Sequence, residues 1–217
     1  MYARTLKNQT LTLAVSGMLW RGSLVIIDLE TRSLWSHLLG EAMRGPLQGQ
    51  SLETIPSTMT DWKTWKSSYP ETTCVVLPRT SEDYNSNVWK TPVSMSMMVI
   101  GLAEKDQARA WHLDRLREQP VVNDMFAGKS VVAVYDEESG TAVLYSRRVD
   151  GKDLSFEFKD GKLFDLETGT QWDLITGEAL TLPLKGKSLK KVKGIISYNA
   201  AWNEFHPNST YWSPERE

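Results

Sequence analysis

Cysteine is nearly absent from this chain of 217 residues, Cys74 being the one example. A lone thiol excludes an intrachain disulfide framework and any metal site built from several cysteines. Histidine is almost as scarce. His37, His112 and His206 are too far apart for the three- or four-residue spacing of zinc ligands on one element. Long apolar runs are missing too: the longest, Met97 to Ala103, falls far short of the roughly 20 residues needed to span a bilayer, and no charged-then-apolar leader opens the chain. The sequence therefore reads as soluble, and nothing in it assigns a compartment. A formal net charge of −2 supplies no global field to recruit nucleic acid or an anionic membrane. There is no Gly-rich phosphate loop, no Gly-x-Ser-x-Gly elbow and no Cys and His set for covalent catalysis. No metal site and no cofactor is expected.

Tryptophan, by contrast, is abundant, with nine residues in a chain whose 41% hydrophobic and 24% charged fractions are ordinary for a globular protein. Several of them are expected to anchor a core. The length suits one large domain or two of about 100 residues, each able to bury its own interior.

Residues 28–73 return without a gap as residues 165–210, at a constant offset of 137 positions and with 16 identities in 46. Asp28-Leu29-Glu30-Thr31 comes back as Asp165-Leu166-Glu167-Thr168, Trp35 as Trp172, Gly40-Glu41-Ala42 as Gly177-Glu178-Ala179, and Pro46-Leu47 as Pro183-Leu184. Trp, Gly and Pro fix packing and turns, so a copied unit retaining them predicts two similar folded modules. The copies are unequal. Tyr2-Ala3-Arg4 through Leu13 resembles Tyr145-Ser146-Arg147 through Phe156 at an offset of 143, which places six extra residues between Leu13 and Asp28. The segment from about Gln107 to Val143 has no counterpart before Tyr2. The expected organisation is a first unit over 1–89, N-terminally incomplete, a connector over 90–103, a complete second unit over 104–212 and a tail over 213–217. Strands missing from the first unit would leave an open sheet edge for another segment or a second copy of the chain to cover.

Valine, isoleucine, tyrosine and phenylalanine crowd short runs separated by Gly and Asp. Strands are predicted at Leu11 to Val15, Leu24 to Asp28, Ser130 to Tyr135, Thr141 to Val149, Leu154 to Phe158 and Lys162 to Leu166. Asp136-Glu137-Glu138-Ser139-Gly140 reads as a polar hairpin loop. One helix is predicted in each copy, capped by Thr60 and Ser197 and stopped by Pro70 and Pro207, with a third over Leu113 to Glu118. The fold class is mainly β, a β-rich α+β arrangement of two homologous sheet or barrel-like units, each closed by a short helix.

Leu11-Thr12-Leu13-Ala14-Val15-Ser16-Gly17, Asp28 to Trp35, Gly40 to Gly49, Ala108-Arg109-Ala110-Trp111-His112-Leu113 and Val122-Asn123-Asp124 stand in an order that resembles the prokaryotic domain-of-unknown-function family numbered 3179. The resemblance covers most of the chain. It implies an upstream segment with His-Glu-Ile-Val-Asn-Asp and a Cys-Pro-Leu-Cys-like motif, before the point where this chain starts. Where the second copy aligns with those cysteines it carries Val134-Tyr135-Asp136-Glu137-Glu138-Ser139-Gly140 instead. The resemblance brings no chemistry with it.

The reactive side chains that the repeat retains are carboxylates: Asp28 and Glu41, with Asp165 and Glu178. Two facing carboxylates could act as acid and base on a sugar or ester if their environments split their pKa values. A turn role competes with this, because Asp and Thr side chains bond neighbouring backbone at strand ends. The weaker ligand-binding candidates are Trp20, Arg21, Trp111, His112, Asn123 and Asp124. The lysines at 185, 187, 190, 191 and 193 replace Gln48, Gln50, Glu53, Thr54 and Pro56 of the first copy, and read as a solvated face guarding an edge strand rather than a shared nucleic-acid site. The favoured expectation is a non-catalytic binding or scaffold module for a small ligand or protein partner, with the ligand between the units or under the Ser16 to Gly22 loop. The rival is a hydrolase or metal-assisted enzyme using the repeated carboxylates.

Overall fold

Two-residue turns in the left-handed region set the architecture. Arg21-Gly22, Ala127-Gly128 and Asp160-Gly161 all have positive φ, with values of 49° and 71°, 48° and 74°, and 50° and 72°. Such turns match the twist of the strands they join, and glycine in second place accepts the conformation without a Cβ clash. The computed structural model describes residues 1–74 and 95–214. Over these residues the protein is mainly β, with several small sheets, three short α-helices and one turn of 3-10 helix at Met95–Met97.

The first copy holds an antiparallel meander of Leu13–Trp20, Ser23–Asp28, Leu34–Ser36 and Ala42–Arg44. Its counterpart in the second copy runs through Phe156–Lys159, Lys162–Asp165 and Gln171–Trp172. The six extra residues of the first copy were expected in a loop over Ser16 to Gly22. They lengthen the hairpin instead, with a bulge between Val15 and Leu19.

Two further sheets lie beside the second copy. Lys129–Asp136 is flanked by Val121–Phe126 and Thr141–Ser146. Met98–Glu104 pairs with Ile195–Tyr198 and Gln107–His112, and Thr210–Tyr211 adds a parallel strand at the edge. Residues 98–103, within the expected connector, are thus part of a central strand. The boundary expected at 89–90 lies outside the described residues, as do positions 215–217 of the expected tail.

The central strand Lys129–Asp136 is buried on both faces, which explains its unbroken apolar run. Side-chain alternation divides it between two cores. Val131, Ala133 and Tyr135 pack with Ile100, Trp111, Leu113 and Leu116. Val132 and Val134 pack with Tyr145, Phe156, Leu163 and Trp172. A smaller cluster of Leu11, Trp35, Ala42 and Leu52 fills the first copy.

Helices α1 (Trp62–Ser68) and α3 (Asn199–Phe205) fall just before Pro70 and Pro207 as expected, and α2 (Leu113–Glu118) covers its expected range. Their caps differ from expectation. Asp61, not Thr60, caps α1 by accepting the Thr64 N–H, because the Thr60 hydroxyl is engaged 2.8 Å from Thr141 Oγ1. Tyr198, not Ser197, occupies the N-cap of α3, while Ser197 lies in the preceding strand and its hydroxyl donates to the Tyr198 carbonyl. Trp202 of α3 is fully buried over Gly101, where a Cβ would collide with the indole. Helix α1 buries none of its residues and is tied to the 136–142 region, the Asp61 N–H donating to the Ser139 carbonyl at 2.9 Å. Among the described residues, no helix is long and apolar enough to cross a membrane.

Candidate functional site

The repeated aspartates are the best-defended of the expected candidates, and their surroundings decide what they can do. Asp28 is fully buried at the end of its strand. Its carboxylate accepts the Thr31 N–H at 2.6 Å, the Thr31 hydroxyl at 2.8 Å, the Ser33 N–H at 3.1 Å and the Trp35 indole N–H at 2.9 Å. Asp165, 1% exposed, accepts the Thr168 N–H at 2.6 Å, the Thr168 hydroxyl at 2.8 Å and the Trp172 indole N–H at 3.0 Å. Burial pushes the Asp28 carboxyl up, but the bonds from Trp35, Thr31 and Ser33 outweigh it and hold the group below the usual carboxylate range. A saturated, ionised carboxylate staples the turn to its tryptophan. It has little basicity left for proton transfer.

Other repeated contacts are of the same structural kind. Tyr2 donates to the Leu38 carbonyl at 2.7 Å, and Tyr145 to the carbonyl of the equivalent residue, Ile175, at 3.1 Å. Trp65 donates to Thr72 Oγ1 at 3.1 Å, and Trp202 to Ser209 Oγ at 2.9 Å. Glu41 and Glu178 are exposed, and their backbones bridge Ser51 and Ser188. Each copy therefore has a buried aspartate and a solvent-facing glutamate rather than a facing pair. Among the described residues, no group of three or more His, Cys, Asp or Glu is placed to hold a metal ion.

The remaining candidates do not converge on one site. Trp20 packs edge-on against Phe205 with centroids 4.9 Å apart, and Arg21 donates to the Glu204 carbonyl at 2.8 Å, so the long hairpin tip rests on α3. Fully buried Trp111 donates to Asp124 at 3.0 Å, and Arg109 pairs with the same carboxylate at 2.7 Å. Asn123 donates its side-chain N–H to the Phe156 carbonyl and accepts the Phe156 N–H, both at 2.8 Å. His112 stacks on Tyr211 at 5.1 Å, and burial, reinforced by Arg115, lowers its pKa. The apolar face under the hairpin tip, lined by Met18, Leu19, Trp20, Leu34, Leu39 and Met43, encloses about 630 Å³ but is a shallow surface.

A cavity of about 640 Å³ opens elsewhere, at the end of the Met98–Glu104 strand. Its walls include Leu102, Phe126 and Val131, buried to 8%, 5% and 2% exposure, together with Met125 and Val192. Five cations, Lys129, Arg148, Lys190, Lys191 and Lys193, line it with two acids, Glu104 and Asp153. Both acids are engaged. Lys129 meets Glu104 at 2.5 Å, while Asp153 accepts the Ser130 hydroxyl at 2.6 Å and has Arg148 at 3.8 Å. The lysine strip runs along the edge of strand Thr141–Ser146, with the Ser146 N–H donating to the Lys190 carbonyl at 2.8 Å and the Val192 N–H to the Leu144 carbonyl at 2.9 Å. Lys191 is half-buried rather than solvated, so one member departs from the expected solvated face. Its ammonium donates to Thr58 Oγ1 at 2.9 Å, and burial lowers its pKa against the opposing pull of Asp173.

Sequence reasoning missed this cavity, although the replacement of Glu53, Thr54 and Pro56 by three lysines in the second copy was its signal. The walls come from residues 102–104 and 125–131, far from the lysines in sequence. No curated protein and no solved structure matches the chain. One family model does, over residues 1–209, carrying the description "Protein of unknown function (DUF3179)". With nearly the whole length matched, the chain belongs to that family.

Proposed function

We propose that the protein is a non-catalytic binding module and that a small ligand occupies the cavity between Leu102, Phe126, Val131 and the Lys190 to Lys193 strip. The observation that carries this reading is a separation of roles. The repeated acids at 28 and 165 have their oxygens committed to protein donors, whereas the cavity is lined mainly by side chains outside the repeated identities. A concave, mostly apolar site with a few placed polar groups is what small-molecule recognition uses. The hydrolase or metal-assisted reading has no comparable support, since Glu41 and Glu178 face solvent away from the buried aspartates.

Titration with the neutral fluorescent probe N-phenyl-1-naphthylamine tests the reading. Binding is expected in the parent protein and in Glu41→Ala and Glu178→Ala. It is expected to be lost in Ser146→Trp, which places an indole beside Val131, the register partner of this half-buried wall residue on the cavity floor. Probe binding that survives Ser146→Trp, with folding verified by circular dichroism, would overturn the assignment. Metal analysis of untagged protein would revive the enzyme reading if a metal were retained and then lost on alanine substitution at Glu41 and Glu178.

A further inference from the structure

We infer that the first copy is a docking site for a β-hairpin supplied from outside this chain, which closes the edge of Leu13–Trp20 as Val121–Phe126 and Lys129–Asp136 close the second copy. The inference does not depend on the cavity.

The second copy shows what such an occupant supplies. Its edge strand Phe156–Lys159 is closed by a side chain: Asn123 donates to the Phe156 carbonyl and accepts the Phe156 N–H, both at 2.8 Å. One carboxamide thus stands in for a strand residue. Beside it, the Arg147 backbone N–H donates to the Ser130 carbonyl at 3.0 Å, and Arg147 Nε donates to the Val131 carbonyl at 3.1 Å. Val132 and Val134 complete the joint by packing in one cluster with Phe156 and Leu163, which are 2% and 1% exposed.

The first copy repeats the receiving half of this joint. Arg4 stands for Arg147 and Leu13 for Phe156. The Leu29 N–H donates to the Thr12 carbonyl at 3.0 Å, as the Leu166 N–H does to the Ser155 carbonyl at 2.8 Å. Hydrogen-bonded and non-hydrogen-bonded pairs alternate along an antiparallel ladder. The next pair, Leu13 with Asp28, is therefore non-hydrogen-bonded, and the Leu13 N–H and C=O point away from the sheet as those of Phe156 do. Arg4 keeps the inward bond of its counterpart, to the Leu11 carbonyl at 3.5 Å, matching Arg147 to Leu154 at 2.7 Å. Its backbone N–H, its Nε and the outward groups of Leu13 have no partner among the described residues.

The apolar face is open at the same place. Val15 pairs with Ile26 on the face that Leu13 shares, and Val15 is 70% exposed while Leu13 and Ile26 are only half-buried. An added strand satisfies main-chain groups and covers such a face with alternate side chains. The occupant accordingly carries an asparagine opposite Leu13, backbone carbonyls opposite Arg4, and aliphatic residues at every second position over Val15 and Ile26. A small apolar ligand would cover the face but leave that row of backbone groups unpaired, which favours a polypeptide.

Amide hydrogen exchange, with a synthetic peptide of residues 119–136 as the probe, tests the inference. In the protein alone, the Leu13 and Arg4 amides are expected to exchange at least about tenfold faster than those of Phe156 and Arg147, and added peptide is expected to slow them about tenfold. Asn123→Ala in the peptide should weaken its binding about tenfold. Val15→Asp in the protein should abolish the protection, while circular dichroism and an unchanged Phe156 amide show the fold intact. A Leu13 amide already as protected as Phe156 in the protein alone would overturn the inference, and protection that grows with protein concentration would make a second copy the occupant instead. The inference also fails if the peptide leaves Leu13 and Arg4 unprotected, if protection survives Val15→Asp, or if binding ignores Asn123→Ala.

Discussion

The turn at Asp28 and its counterpart at Asp165 carry nearly the same hydrogen bonds, yet they serve cores of different size. Among the described residues, Trp172 belongs to a cluster of twelve buried hydrophobics, and Trp35 to one of four. The difference traces to the strands Val121–Phe126 and Lys129–Asp136, which have no counterpart beside the first copy among the described residues. Tyr145 bridges Lys191 on one side and pairs with Val132 on the other, whereas Tyr2 bridges Thr54 and has no such strand beside it among the described residues. The same staple therefore serves a large core in one copy and a small one in the other. The cavity lies beside the larger.

Truncating the two tryptophans should separate the copies most strongly. Trp172→Ala is expected to cost about 4 kcal/mol and Trp35→Ala about 3 kcal/mol in urea unfolding, because loss of a large buried ring leaves a cavity whose cost depends on how far its surroundings relax. Equal losses would break the comparison.

Asp28→Asn and Asp165→Asn come next, at about 1–3 kcal/mol each, since the amide NH2 puts a donor where the N–H and O–H donors of the pocket need an acceptor. Asp28 adds a pH signature. Its folded pKa lies below the unfolded value, so its contribution is present above about pH 4 and is lost as acid carries the pH down through the folded pKa. Acid unfolding of Asp28→Asn should lack that component. An unchanged acid limb would contradict the staple.

Gly40→Ala and Gly177→Ala should each cost about 1–2 kcal/mol, through positive φ values of 68° and 77°. Both also force a tyrosine aside: an added Cβ would fall 2.3 Å from the Tyr2 ring in one copy, and 2.8 Å from the Tyr145 ring in the other. Thermal melts of the two variants measure whether the tyrosine corners are equivalent.

The smallest effect is expected at His206, whose counterpart in the first copy is Tyr69. Burial lowers the pKa of His206, and among the described residues its buried Nε2 has no hydrogen-bond partner. The unfolded chain then takes up the proton first, so stability drains away as pH falls below about 6.5. His206→Tyr should flatten that slope between pH 7 and pH 5. A slope identical to that of the parent would remove His206 from the account.

The hairpins and the fold class were legible because their information is local: Gly after Asp, Ala or Arg makes the turn, and β-branched runs make the strands. The helices of the two copies were legible from the prolines that follow them, Pro70 and Pro207. Their caps were not, because Thr60 is claimed by Thr141, a partner 81 residues away. Asp124 was named for its place in the resembled family, and its bond to Trp111 could not be read from spacing. The cavity was the least visible feature. Its lysines stand out in the sequence, but the strands that wall it approach them from distant parts of the chain, and no periodicity encodes that meeting.

Amide chemical-shift mapping during titration with 8-anilinonaphthalene-1-sulfonate tests most directly whether the repeat carries structure and the unrepeated walls carry binding. The expected shifts concentrate at Leu102 to Glu104, Met125 to Val131 and Lys190 to Lys193, with the 28–35 and 165–172 turns unmoved. Shifts centred on those two turns would contradict the account.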